Sequence, residues 1–251
     1  AAGQMPRTAA KWGSFMDKKP RRTGLLERTA QMFDLPADAL AGLPRAAGLE
    51  EPECGVQAEA PCETPRLVTE SLDVTQGKLA LGFRTGGSCV WTEDFPALMV
   101  FNAVYGGTPT SKLFLNVREK LSLCYFASST LEKCKGILLV SSGIEFGNYD
   151  KAKAEILAQL DNCRQGAIED WEMVAARQAI ISSLSAALDA QGRLEDFWLG
   201  QNLAGLRFGP DDLAALIADV DAKQVVEAAC MVQLDTIYHL MGPERGEEDA
   251  T

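Results

Sequence analysis

The chain holds a single histidine, His239, among 251 residues. A zinc site of the H-x-x-E-H kind needs two imidazoles four apart on one helix face, a glutamate between them as base and a further acidic ligand, so this chain cannot build one. Its seven cysteines (Cys54, Cys62, Cys89, Cys124, Cys134, Cys163 and Cys230) are an odd number without any C-x-x-C pair. That spacing argues against a disulfide framework and against a thiolate zinc knuckle, and leaves the thiols as reduced, mostly small core residues. Long apolar runs are missing too. None approaches the roughly 20 residues of a membrane helix, and the first twenty residues lack the apolar stretch of a secretory signal, so the expected compartment is the cytoplasm. Basic charge is scarce: 24 Lys and Arg against 35 Asp and Glu leave a net −11. Nucleic acid and anionic membrane, both bound chiefly through basic patches, are disfavoured as partners, and a basic peptide or basic protein surface is favoured.

What is present divides unevenly. Residues 1–50 carry eight basic and five acidic side chains, whereas 51–65 carry four acidic and none basic, with Pro52, Pro61 and Pro65 clustered. This composition predicts a linker and a domain boundary near Pro65. Residues 1–22 show no periodicity and are expected to be irregular, while 23–45 place Leu25, Leu26, Ala30 and Phe33 at helical spacing before Pro36 breaks the pattern. The segment over residues 16–45 resembles the start of YqfC-like sporulation proteins. The expected organisation is thus 1–65 as a mostly irregular segment with a short helical piece, 66–242 as one folded domain, and 243–251 as a disordered tail.

From Arg66 the pattern is α+β. RLVTESLDV and KLALGFR read as strands, the second alternating Leu79, Leu81 and Phe83 on one face. DFPALMVFNAVY reads as an apolar helix terminated by Gly106-Gly107, and Thr110 or Ser111 can cap a further helix with the stripe Leu113, Val117, Leu121. A hairpin of LCYFASS and ILLVSSGIE follows. Two long helices come next, one with Tyr149, Ala152, Ile156, Leu157 and Leu160 inward, the other with Trp171, Val174, Ile181, Leu184 and Leu188 inward. Shorter helices and a returning strand, VQLDTIYHL, close the domain. The expected architecture is an antiparallel sheet with helices packed on one face.

The stretch GGTPTSKLFLNVREKLSLCY, preceded by a QGK strand and followed by a KG-initiated strand ending at Ile144-Glu145-Phe146, resembles the C-terminal domain of the insulinase/pitrilysin family of zinc peptidases. The match spans about 66–241 and is similar to a YmfF-like branch whose members lack an intact zinc motif and pair with a zinc-bearing sister. The resemblance implies the LuxS/metalloenzyme-like α+β fold of that family. It implies that Arg118 and Tyr125 bind the scissile peptide across from a zinc site on another domain or subunit. It implies no cofactor in this chain, zinc on the partner, and as partners a zinc-bearing insulinase-family domain and a peptide substrate. Taken from the residues alone, Arg118 is a solvated charge near a helix C-terminus and Tyr125 a half-buried strand residue.

Other candidates carry less. His239 lies out of phase with Val232, Leu234 and Tyr238 and is expected at the surface or an interface. Gly106-Gly107 lacks the context of a phosphate loop, and Glu145 and Asp150 are not spaced as a catalytic carboxylate pair. The function expected is a zinc-free, substrate-binding domain that acts only with a zinc-bearing partner. A non-catalytic assembly module, or an incomplete fragment of such a peptidase, is the alternative.

Overall fold

The computed structural model describes residues 64–90 and 92–242; the predicted helical piece at 23–45, the segment 1–63 around it and the tail 243–251 lie outside them. Five strands, β1 (Arg66–Ser71), β2 (Gly77–Arg84), β3 (Cys124–Glu132), β4 (Ile137–Ile144) and β5 (Gln233–Met241), form one sheet in the order β1-β5-β2-β4-β3. Leu79, Leu81 and Phe83 of β2 and Leu138 and Val140 of β4 are fully buried in the core, whereas the alternate residues Lys78, Ala80 and Leu139 are not. The period-2 pattern in the sequence is therefore the signature of a sheet with one face packed on helices.

The sheet is mixed rather than wholly antiparallel. β5 slots between β1 and β2, antiparallel to β2 but parallel to β1, with Arg66 opposite Thr236 and Ser71 opposite Met241. Side-chain alternation reports which face a residue takes and is silent about its neighbour strand, so this insertion was not legible in the sequence.

On the packed face lie α1 (Phe95–Asn102), α2 (Tyr149–Arg164), α3 (Asp170–Leu188), α4 (Gln191–Leu203), α5 (Pro210–Ala218) and α6 (Ala222–Met231). No helix among the described residues is long and apolar enough to cross a membrane. α1 runs on through a π-helical turn, Ala103–Gly107. Gly106 and Gly107 do not stop the helix before them, as glycines past a C-terminus would. They sit inside this turn, where a Cβ on Gly106 would lie 2.6 Å from the Ser129 hydroxyl oxygen and 2.8 Å from the Ser129 nitrogen. The glycine lets the helix lie directly on β3. Tyr105, fully buried, donates its hydroxyl to the Ile156 carbonyl at 3.0 Å and ties the same turn to α2.

α3 packs on the core through Ile181 and Leu184 as expected, but not through the rest of the expected stripe. Met173, Ala176, Ala187 and Glu172 are buried, while Trp171, Val174 and Leu188 are 50%, 59% and 45% exposed. This helix is apolar on nearly every side, so periodicity could not choose its face. Polar contacts choose it: Arg177 donates to the Val220 carbonyl at 3.2 Å, and Glu172 accepts from Lys112.

Candidate functional site

Arg118 stands on a second π-helical segment, Leu113–Lys120. The Ser111 hydroxyl accepts from the Phe114 amide at 3.4 Å at its start, and Asn116 donates to Gln159 of α2 at 3.1 Å along its side. Leu113 and Val117 are buried as expected, but Leu121 is 44% exposed because the wider turn carries it off the stripe. The Leu121 amide reaches back five residues to the Asn116 carbonyl, the hydrogen-bond pattern of a π-helix.

The segment ends in a strained turn. Ser122 has a φ of +49°, in the left-handed region, and its amide donates to the Arg118 carbonyl at 3.1 Å. β3 begins two residues later with a bulge: Cys124 pairs with Ile144 and Phe126 with Gly143, which leaves Tyr125 without a ladder partner. A bulge re-aims the extra side chain. Tyr125 is 79% exposed, whereas the half-burial of an ordinary strand residue was the plain reading of its sequence.

Arg118 is also exposed. Its guanidinium lies over the Phe114 ring at 4.7 Å and its Nε is 3.6 Å from Glu119, an ion pair with both sides wet and worth little. Burial raises the Cys124 thiol above its ordinary pKa, and the Ser142 hydroxyl and the Arg118 charge pull it part of the way back. Arg118 lies in the last turn of the helical segment that hands over to β3 and Tyr125 at the start of that strand, so the two predicted site residues occupy one end of the sheet.

The other candidates fall elsewhere. His239 is buried, not at the surface: its ring stacks on Tyr149 at 3.8 Å, and its Nε2 finds no hydrogen-bond partner. Its register opposite Leu79 puts it on the helix-facing side of β5. Asp150 pairs with Lys153 at 3.2 Å at the exposed start of α2. A groove of about 510 Å³, bounded by Phe95 and Met99 of α1, Thr130 and Leu131 of β3 and Leu184 of α3, lies at the far end of β3 from Tyr125. Among the described residues no group of three or more His, Cys, Asp or Glu could hold a metal ion. The described residues do not fit a zinc.

Sequence reasoning missed the ion pair that fixes the segment. Lys112 Nζ is 2.9 Å from Glu172 Oε2, with both side chains buried, and the thiol of Cys163 close by is pushed up to about 12 by its own burial. It also missed the bulge and the Ser122 turn, for which the sequence holds no signal.

Residues 27–180 match the family profile described as "Peptidase M16 inactive domain". A Bacillus subtilis protein named "Probable inactive metalloprotease YmfF" is 38% identical over 181 residues, 72% of this chain. The chain belongs to the M16 peptidase family. M16 is the insulinase family that its motifs resemble. A second B. subtilis relative, "Uncharacterized zinc protease YmxG", is 26% identical over 148 residues, 58% of this chain and 34% of its own length. A conserved protein from Enterococcus faecalis of known structure superposes with a TM-score of 0.70 at 29% identity over 75% of this chain. The chain spans 42% of the YmfF relative and 44% of the E. faecalis chain, less than half of each. The α+β fold is that of these M16 relatives, and the matched domain is the inactive one.

Proposed function

We propose that this M16 domain binds peptide through Arg118 and Tyr125 and presents it to a zinc site on a separate M16 domain or subunit, with no hydrolysis by the chain alone. The observation that supports it most is Tyr125, an aromatic residue 79% exposed on a bulge beside a strained turn. Strain and re-aimed side chains concentrate where geometry serves a ligand. The zinc of the partner would supply the activated water. The residues here have simpler tasks. The Tyr125 hydroxyl would donate a hydrogen bond that strengthens as the amide oxygen gains charge, and the Arg118 guanidinium would hold backbone carbonyls with its fork of N–H donors. The five described cysteines are free, which fits work in the reducing cytoplasm.

Co-expression with a zinc-bearing M16 partner and a fluorogenic peptide library tests the reading. Tyr125→Phe should leave the complex intact and lower turnover by about 10²–10³, the usual cost of one oxyanion donor. Arg118→Ala should weaken substrate binding as well, since it removes an anchor used in the ground state. The match to an inactive domain favours a second reading, a non-catalytic assembly module. Unchanged kinetics in both variants, with the complex intact, would establish that one and reject the pair.

A further inference from the structure

The core uses only part of the apolar stripe on α3. Trp171, Val174 and Leu188 stand 50%, 59% and 45% exposed, Ile181 is half-buried, and Gln178 and Ser185 between them are exposed. These six residues follow one another at alternating spacings of three and four, the a and d positions of a heptad seam. Charge is missing from the seam. Between Trp171 and Leu188 the helix carries two charged residues, Glu172 and Arg177, and both are engaged elsewhere. Glu172 is buried against Lys112, and Arg177 is turned to the Met173, Ala218 and Val220 carbonyls.

We propose that a second copy of this chain docks along this seam, α3 against α3, antiparallel about a two-fold axis. Two observations select a copy over another partner. With a net charge of −11, two molecules of this chain repel each other, and an uncharged face is where they approach without like charges meeting. The seam is also its own complement. Turned end for end about a point midway between Gln178 and Ile181, Trp171 meets Leu188 of the second copy, Val174 meets Ser185 and Gln178 meets Ile181, so all six positions find a partner in one register. A parallel pair would instead set Gln178 on Gln178 and Ser185 on Ser185, two polar layers out of six. The seam is about 25 Å long, and two such helices cover less than the about 800 Å² per partner of a standard interface, so the dimer should exchange with monomer at micromolar concentrations.

The test is sedimentation velocity on the full chain from about 1 µM to 1 mM, a range that brackets a small interface. The sedimentation coefficient should climb from monomer to dimer across it. Raising salt from about 50 to 500 mM should tighten association by screening the net charge. Trp171→Ala removes a contact at both ends of a symmetric dimer, so about tenfold for each becomes about a hundredfold overall. Val174→Lys should weaken association too. Adding Ser185→Glu, which faces residue 174 only in the antiparallel register, should recover about tenfold of that loss. Val174 and Ser185 are exposed, so thermal midpoints of these variants should stay near the parent's, and they decide the matter if Trp171→Ala unfolds. A chain that stays monomeric at the top of the range, a dimer indifferent to both Trp171→Ala and Val174→Lys, association weakened by salt, or a double variant no tighter than Val174→Lys alone would each overturn the proposal.

Discussion

Lys112 Nζ meets Glu172 Oε2 at 2.9 Å, with the two side chains 9% and 6% exposed, and through this contact the segment bearing Arg118 is fixed to the first turn of α3. Glu172 also accepts from the Glu169 amide at 2.8 Å, so its carboxylate has two donors. Lys112→Ala leaves that carboxylate buried with one of them, and should destabilise the protein by about 3–5 kcal/mol in urea unfolding. Lys112→Met combined with Glu172→Gln removes both charges and keeps an acceptor for Glu169, so it should recover most of that loss. A double variant as unstable as Lys112→Ala would show that packing, not the unpaired charge, sets the cost.

Ser122 provides a second check. Its φ of +49° is one that glycine adopts freely and β-branched residues resist. Ser122→Gly should be neutral or gain up to about 1 kcal/mol, and Ser122→Val should lose about 1–2 kcal/mol. The quantity to compare is the midpoint of thermal unfolding. If the Val variant matches the parent, the turn is not strained.

Gly106 and Gly192 should respond oppositely to alanine. A Cβ at Gly106 would press on Ser129 and on Leu113 Cδ1 at 2.7 Å, and overpacking against backbone costs about 1–3 kcal/mol. At Gly192, in the first turn of α4, nothing lies within 4 Å, so alanine should add up to about 1 kcal/mol through helix propensity. Parallel denaturation curves decide it, and a stabilising Gly106→Ala would contradict the close approach of helix to strand.

His239 should make stability fall in mild acid. Burial lowers its pKa below the ordinary value, with the Lys153 charge adding to the effect and Asp150 opposing it. Above about pH 6.5 the ring is neutral in both folded and unfolded chains and contributes nothing to pH dependence. As pH drops through that value the unfolded chain takes up the proton and the folded chain does not, so stability declines until pH passes the lowered folded value. His239→Phe keeps a ring against Tyr149 and should flatten the decline that sets in below about pH 6.5. A slope equal to that of the parent would assign the dependence to other groups.

The parts of the fold legible in the sequence were those with one polar side. β2 shows Leu79, Leu81 and Phe83 against Lys78, Ala80 and Gly82, and α2 shows Ala152, Ile156 and Leu160 against charge, so both gave their type and inward face. α3 has apolar residues all round, and its face depends on Arg177 and Glu172 contacts with residues 43 and 60 positions away. His239 was misplaced because the shift in register between Gly82 and Phe83 moves β5 by one residue and reverses its phase beyond Leu234. For the candidate site, the motif gave Arg118 and Tyr125 and the helix-to-strand handover between them. It did not give the π-helical turn, the Ser122 conformation or the bulge, because each arises from fitting that segment between α2 and the edge of the sheet.

The placement of β5 has a consequence for how this chain comes together. β1 has β5 as its ladder neighbour, and Arg66 lies 170 positions before its partner Thr236. The β2–β4–β3 portion can assemble from contacts closed over much shorter loops. β1 must therefore wait, as a six-residue extended stretch with Leu67 and Val68 open to solvent, until β5 has been synthesised. Pairings this distant in sequence form slowly, and an unpaired strand is a template for other chains in the interval. The emergence of β5, rather than any local helix or hairpin, thus sets the earliest moment at which the sheet acquires its fifth strand.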